Sequence, residues 1–198
     1  MKAATKTYCE ALTEHYERVW KRPGTERVWL RGPVAVLPEG FCVLEFSPGQ
    51  GRDMWTYGTC GMSTAVDEQA IELHLFSPVQ AEELVELLTV VAHYHRTGAR
   101  LGSGHTVNFG RPWLPGSRCS FGLISRPYLD GPSLEVMHGR ASRHEVRCLW
   151  LIPITAREVE FKKQRGLQAL EDLFQAANIN YVDPLRPDVT ANQGTAAH

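Results

Sequence analysis

The seven residues Cys148–Ile154, CLWLIPI, carry no charge and almost no polarity. Side chains on a strand alternate between its two faces, so a strand that is apolar at consecutive positions must be covered on both. The chain therefore has to place packing layers above and below a sheet. Thr155 and Glu158 follow at once with capping-box spacing, which opens a charged helix directly after this strand. Val159, Leu167, Leu170 and Phe174 form the buried side of that helix, and Gly166 marks a kink or break in it.

Two more helices are legible upstream. Thr7 and Glu10 form another capping box, and Tyr8, Leu12, Tyr16, Val19 and Trp20 share one face of a helix over residues 8–21, stopped by Pro23-Gly24. A second helix is expected to start with Ser77 as N-cap, Pro78 at the first position and Gln80 completing the box. Leu84, Leu87, Leu88, Val91 and Ala92 make its stripe, and Gly98 caps its end. Between and after the helices lie strand candidates: RVWLRG, VAVL, FCVLEF, DMWTYGTCGM and AIELHLFS, then HTVNF, SFGLIS, SLEVMHG and EVRCLWLIPI. Strands come in runs rather than in strict alternation with helices. The expected class is α+β, with a mixed, largely antiparallel sheet packed with about three main helices. One domain over residues 7–188 fits the length of 198 residues. The small polar stretch VTANQGTAAH, residues 189–198, is expected to form a flexible tail.

The formal net charge is −1, so no basic excess favours nucleic acid or an anionic membrane. No apolar run reaches the roughly 18 residues of a membrane span, and the N-terminus lacks the apolar core of a signal peptide, which implies a cytoplasmic protein. Five scattered cysteines without a C-x-x-C pair argue against a disulfide framework or a zinc knuckle and read as small buried apolar side chains.

Candidate chemistry is sparse. FSPGQGRDMW holds a bare G-x-G that leads into a strand, so it reads as a hairpin turn and not a nucleotide loop. His93 and His95 are two apart on a helix and point apart. His74 alternates with Ile71, Leu73 and Leu75, which puts it with Glu72 on the polar face of its strand. In RLGSGHTVNF, Gly104 lets the backbone come close at His105, but no carboxylate or nucleophile stands beside that histidine in sequence. Asp130, in YLDGPS, fits turn chemistry.

Three stretches together resemble the suppressor-of-fused domain family: ELLTVVAHYHRTGARLGSGHTVNF, CLWLIPITAREVEFKKQRG and the closing ALEDLF with VDPLRPD. Gly104-His105-Thr106-Val107 matches the family's Gly-(His/Asp)-x-(Ile/Val) turn. Pro153 to Glu158 matches its Gly-Ile-Thr-x-x-Glu, with Pro153 replacing the glycine. Val182 to Arg186 is similar to its closing motif, and Trp55 to Ser63 to its Tyr-x-x-x-Gly-Leu-Ser strand, with Met62 for leucine. The resemblance implies a suppressor-of-fused-like fold and a non-enzymatic protein-binding module without a cofactor, such as a bacterial immunity protein that binds a partner toxin or peptide segment. The chain is too short for the second region of the larger animal member. Arg111, Trp113 and His105 are the candidate binding residues, Arg111 and Trp113 because arginine and tryptophan concentrate binding energy. Two rival readings are a hydrolase using His105 with Asp130 or Glu158, and a cofactor that sequesters a transcription factor.

Overall fold

The computed structural model describes residues 7–32, 34–49, 51–138 and 145–191. Its centre is β8 (Val146–Thr155), the strand that contains the apolar run. Cys148, Trp150, Ile152 and Ile154 face one layer, and Leu149 and Leu151 face the other. β8 pairs in parallel with β4 (Ala70–Ser77) and antiparallel with β6 (Cys119–Ser125). Outside β4 lie β3 (Trp55–Cys60), β2 (Cys42–Phe46) and β1 (Thr25–Arg27), and outside β6 lies β5 (Thr106–Asn108). The order β1-β2-β3-β4-β8-β6-β5 leaves β1 and β5 at the edges. Only the β4–β8 pair is parallel among the described residues, so the sheet is mixed and largely antiparallel as expected. The two-residue β7 (Val136–Met137) adds to β8 off this path.

One sheet face carries α2 (Glu82–Thr97), whose Leu84, Leu87, Leu88, Val91 and Ala92 pack on Leu73, Leu75, Leu149 and Leu151. The opposite face carries α1 (Tyr8–Trp20), α4 (Ala156–Arg165) and α5 (Leu167–Ala176). Gly58 lets α1 lie close: a Cβ there would stand 3.1 Å from the Tyr16 ring and 3.4 Å from that of Trp20. A row of rings then runs along this face from Trp20 through His74, Phe76 and Trp150 to Tyr181, with neighbouring centroids 4.7–5.8 Å apart.

Both capping boxes form, at Thr7/Glu10 and at Thr155/Glu158, and the third expected helix breaks at Gly166 into α4 and α5. The Glu158 carboxylate does more than cap. Arg186 grips it through two bonds of 2.7 Å each, while Thr155 N and Val189 N donate at 2.8 and 3.2 Å. That lock ties the closing VDPLRPD segment to the start of α4. It also carries packed chain past the expected boundary, since Thr190 is buried and Val189 packs on the core. Residues 192–198 of the expected tail lie outside the described residues.

Four local expectations give way to tertiary contacts. RVWLRG and VAVL are not strands: β1 ends at Arg27, and Val28, Leu30 and Val36 are exposed. Ser77 is no N-cap, because it is the last residue of β4, opposite Trp55, and its hydroxyl closes a turn with Val79. The helix waits until Glu82, behind Ala81, whose N–H donates to the Tyr57 hydroxyl at 2.9 Å. SLEVMHG divides into the short helix α3 (Pro132–Glu135) and β7.

Candidate partner-binding site

RLGSGHTVNF forms a turn and an open edge strand. Gly104 has φ +83°, a left-handed conformation in which a side chain would strain the backbone. His105 N donates to Gly102 O at 3.1 Å, and Ile124 N donates to His105 O at 2.9 Å. At the far end Phe109 N donates to Ser120 O at 2.9 Å. With Val107 opposite Gly122, positions 105, 107 and 109 bond inward to β6. The alternation of an antiparallel ladder then turns the main-chain groups of Thr106 and Asn108 outward, away from β6. His105 itself is exposed and is held by its main chain.

Beside this edge runs a groove of about 320 Å³ between β5 and α2. Val90 and Tyr94 supply its exposed apolar wall, 46% and 43% accessible, and Arg111 stands at its rim. Arg111 donates to the Glu86 carboxylate at 2.6 Å and to Glu83 O at 3.1 Å, which fixes the guanidinium against α2 while leaving it partly accessible. Trp113 is a correction: it is only 1% exposed and belongs to the α2-side core. Its main-chain N–H donates to Cys119 O at 3.0 Å, so the loop between Pro112 and Pro115 turns inward and packs the indole into the core. A second concavity of about 450 Å³ lies on the other face, lined by Tyr128, Leu129, Trp150, Glu171, Phe174 and Tyr181.

His74 lies with Glu72 on one face of β4, as the alternation implies. Its face of β4 is polar, but α1 covers it, and both His74 and Glu72 are wholly buried. Glu72 accepts from the hydroxyls of Thr59 (2.6 Å) and Tyr8 (2.8 Å) and from the N–H groups of Ser63 and Met62 (3.1 and 3.2 Å). The Gly61-Met62-Ser63 motif is therefore a cradle for a buried carboxylate. Burial nevertheless outweighs these four donors and pushes Glu72 up to about 8.

His74 Nε2 stands 3.6 Å from Asp130 Oδ2, beyond hydrogen-bond range. Asp130 Oδ1 is held by Arg52 and by the Trp20 indole N–H. Burial and the Arg52 charge lower His74 to about 3, so the ring is neutral at physiological pH. Asp130 is thus no bare turn residue: its ion pair with Arg52 and the bond from Trp20 fasten the loop bearing Tyr128 and Leu129 to the β2–β3 connection and to α1. The hydrolase arrangement is not assembled, because Glu158 is engaged by Arg186 and Asp130 by Arg52, and neither serves His105. No group of three or more His, Cys, Asp or Glu side chains among the described residues is arranged to hold a metal ion.

This α+β fold, a mixed sheet with helices on both faces, is shared by several solved structures. The sequence model of the Suppressor of fused protein (SUFU) family matches residues 38–187, and the chain belongs to that family. A SUFU homologue from Neisseria gonorrhoeae FA 1090 is 30% identical with a TM-score of 0.80, over 92% of this chain and 96% of that one. A chain of the Sufu–Fu complex shares the fold at 12% identity and TM-score 0.69, over 93% of each chain. Drosophila Suppressor of Fused shares it at 14% identity and TM-score 0.64, over 92% of this chain but 51% of that one. The chain thus spans about half of the Drosophila chain. No curated protein sequence matches it. No described helix is long and apolar enough to cross a membrane.

Proposed function

We propose that this chain acts without catalysis, as a protein-binding module that accepts a segment of its partner along β5. The observation that carries this reading is the outward-facing main chain of Thr106 and Asn108 beside the groove that exposes Val90 and Tyr94. An extended segment pairing with that edge gains main-chain hydrogen bonds, and alternate side chains enter the groove. Arg111, held in place by Glu86, meets a polar or acidic group of the partner at the rim. His105, exposed where the edge begins, is a further contact. That a SUFU-fold chain has been solved in the Sufu–Fu complex supports binding as the activity. The role we assign is that of a bacterial cytoplasmic immunity protein holding a partner toxin, which fits the relation to the Neisseria homologue.

The test is a comparative capture from cells of the source organism, with wild type, Arg111→Glu and Asn108→Pro as baits. Asn108→Pro removes an outward N–H and leaves the bonds to β6 in place. A toxin retained by wild type and lost from both variants supports the proposal. A partner retained equally by all three baits removes this edge from the interface.

A further inference from the structure

Three of the five cysteines converge where α1 meets the β2–β3 end of the sheet. Cys9 is the second residue of α1, inside the first turn, where unpaired N–H groups favour a negative charge. It is half-buried, whereas Cys60 is 1% exposed and Cys42 6%. Cys42 and Cys60 are register partners on β2 and β3. Cys60 Sγ lies 3.8 Å from Cys9 O, and Cys9 Sγ lies 3.9 Å from Gly40 O, just before β2. Gly61, the neighbour of Cys60, lies against the same thiol: a Cβ built there would be in ordinary contact with Cys9 Sγ, at 3.5 Å. Cys148 shares the α1-side core with them but packs near Tyr16 and Glu72, and Cys119 lies in the α2-side core.

The two thiols of the pair differ in character. The neighbouring Cys60 thiol lowers Cys9, outweighing burial and the nearby Glu26. Cys60 is pushed upward by its hydrogen bonds with Cys42 and Cys9 and by burial. A half-buried thiol lowered toward its thiolate, beside a second, more deeply buried thiol, is the arrangement of a peroxide-reactive cysteine with its resolving partner.

We propose that Cys9 and Cys60 form an oxidation site for hydroperoxides. The Cys9 thiolate attacks the peroxide O–O bond, an S–O bond forms, and the leaving hydroxide takes a proton to become water. The Cys60 thiol then attacks the sulfenic sulfur, the S–O bond breaks, and the Cys9–Cys60 disulfide forms with release of a second water. Two thiols are oxidised and one hydrogen peroxide is reduced. The disulfide fastens the first turn of α1 to the end of β3.

The test uses the folded full chain and hydrogen peroxide, read by intact mass and by a non-reducing peptide map. The expected result is a loss of about 2 Da, the two thiol hydrogens, with one bridge mapped to Cys9 and Cys60 and reversed by dithiothreitol. Cys60→Ser should leave a Cys9 sulfenic acid that dimedone labels, and Cys42→Ser should leave the bridge intact. Unchanged mass, a bridge between Cys42 and Cys60, or dimedone labelling of Cys60→Ser at a cysteine other than Cys9 overturns the proposal.

Discussion

Arg186→Met isolates the strongest single tie between the end of the chain and the core. In the native protein four donors converge on Glu158, which is wholly buried. Arg186 supplies two of these bonds and also donates to Pro153 O at 2.9 Å and Pro187 O at 3.1 Å. Methionine fills much of the arginine stem's volume, so the loss is electrostatic more than steric. It leaves a buried carboxylate with only its two main-chain donors and no countercharge. Removing one partner of such a pair costs about 3–5 kcal/mol. For a chain of this size that lowers the melting temperature by about 6–20 °C. Replacing both partners, as Glu158→Leu with Arg186→Met, removes the uncompensated charge but also the cap on α4, so it should recover only part of the loss. Differential scanning calorimetry at neutral pH reads both. A single-variant shift under about 2 °C would refute the reasoning, because it would mean that Glu158 finds water or neutralises cheaply once Arg186 is gone.

Trp150→Ala should cost about 3–5 kcal/mol, the usual range for truncating a large core aromatic, since Phe76 and Tyr181 pack on the ring in tilted contacts at 5.3 and 4.7 Å; a urea titration with an unmoved midpoint would contradict the packing. His74 is lowered to about 3 in the folded chain from an ordinary 6.5, so the unfolded chain binds more protons between those values. The His74 contribution should therefore be full above about pH 6.5 and fall as pH drops toward 3; His95, lowered to about 4, adds a contribution of the same sign, and Glu72, raised to about 8, one of opposite sign that falls as pH rises from about 4.5 to 8. In His74→Gln the acid-side slope should flatten by most of one proton, and an unchanged slope would show that the ring is not buried neutral.

The elements legible in the sequence were those specified by neighbouring residues. Thr7/Glu10 and Thr155/Glu158 set helix starts within four residues of chain, and the CLWLIPI run specified a strand covered on both faces. Ser77-Pro78-x-Gln80 satisfies the same local pattern as a true cap, yet the ladder to Trp55 claims Ser77 for β4. Alternation placed His74 and Glu72 together on one face but carried no sign that α1, more than fifty residues earlier, covers it. Asp130 looked like a turn residue because its partners Arg52 and Trp20 lie 78 and 110 residues away. Trp113 was a contact candidate by residue type alone, but its loop closes on Cys119 and the indole joins the core that α2 covers. The turn at Gly104 and the rim residue Arg111 were visible, but the groove between them depends on α2 and β5 lying side by side.

The binding proposal rests on one edge of one sheet. It is tested most directly by hydrogen exchange of the backbone amides, measured by NMR on the free chain and on its complex with the captured partner. The account predicts marked slowing at Thr106 and Asn108 on binding, with smaller changes along the exposed side of α2 around Val90 and Tyr94. Protection confined to the opposite face, around Tyr128, Glu171 and Tyr181, with unchanged exchange at Thr106 and Asn108, would contradict it.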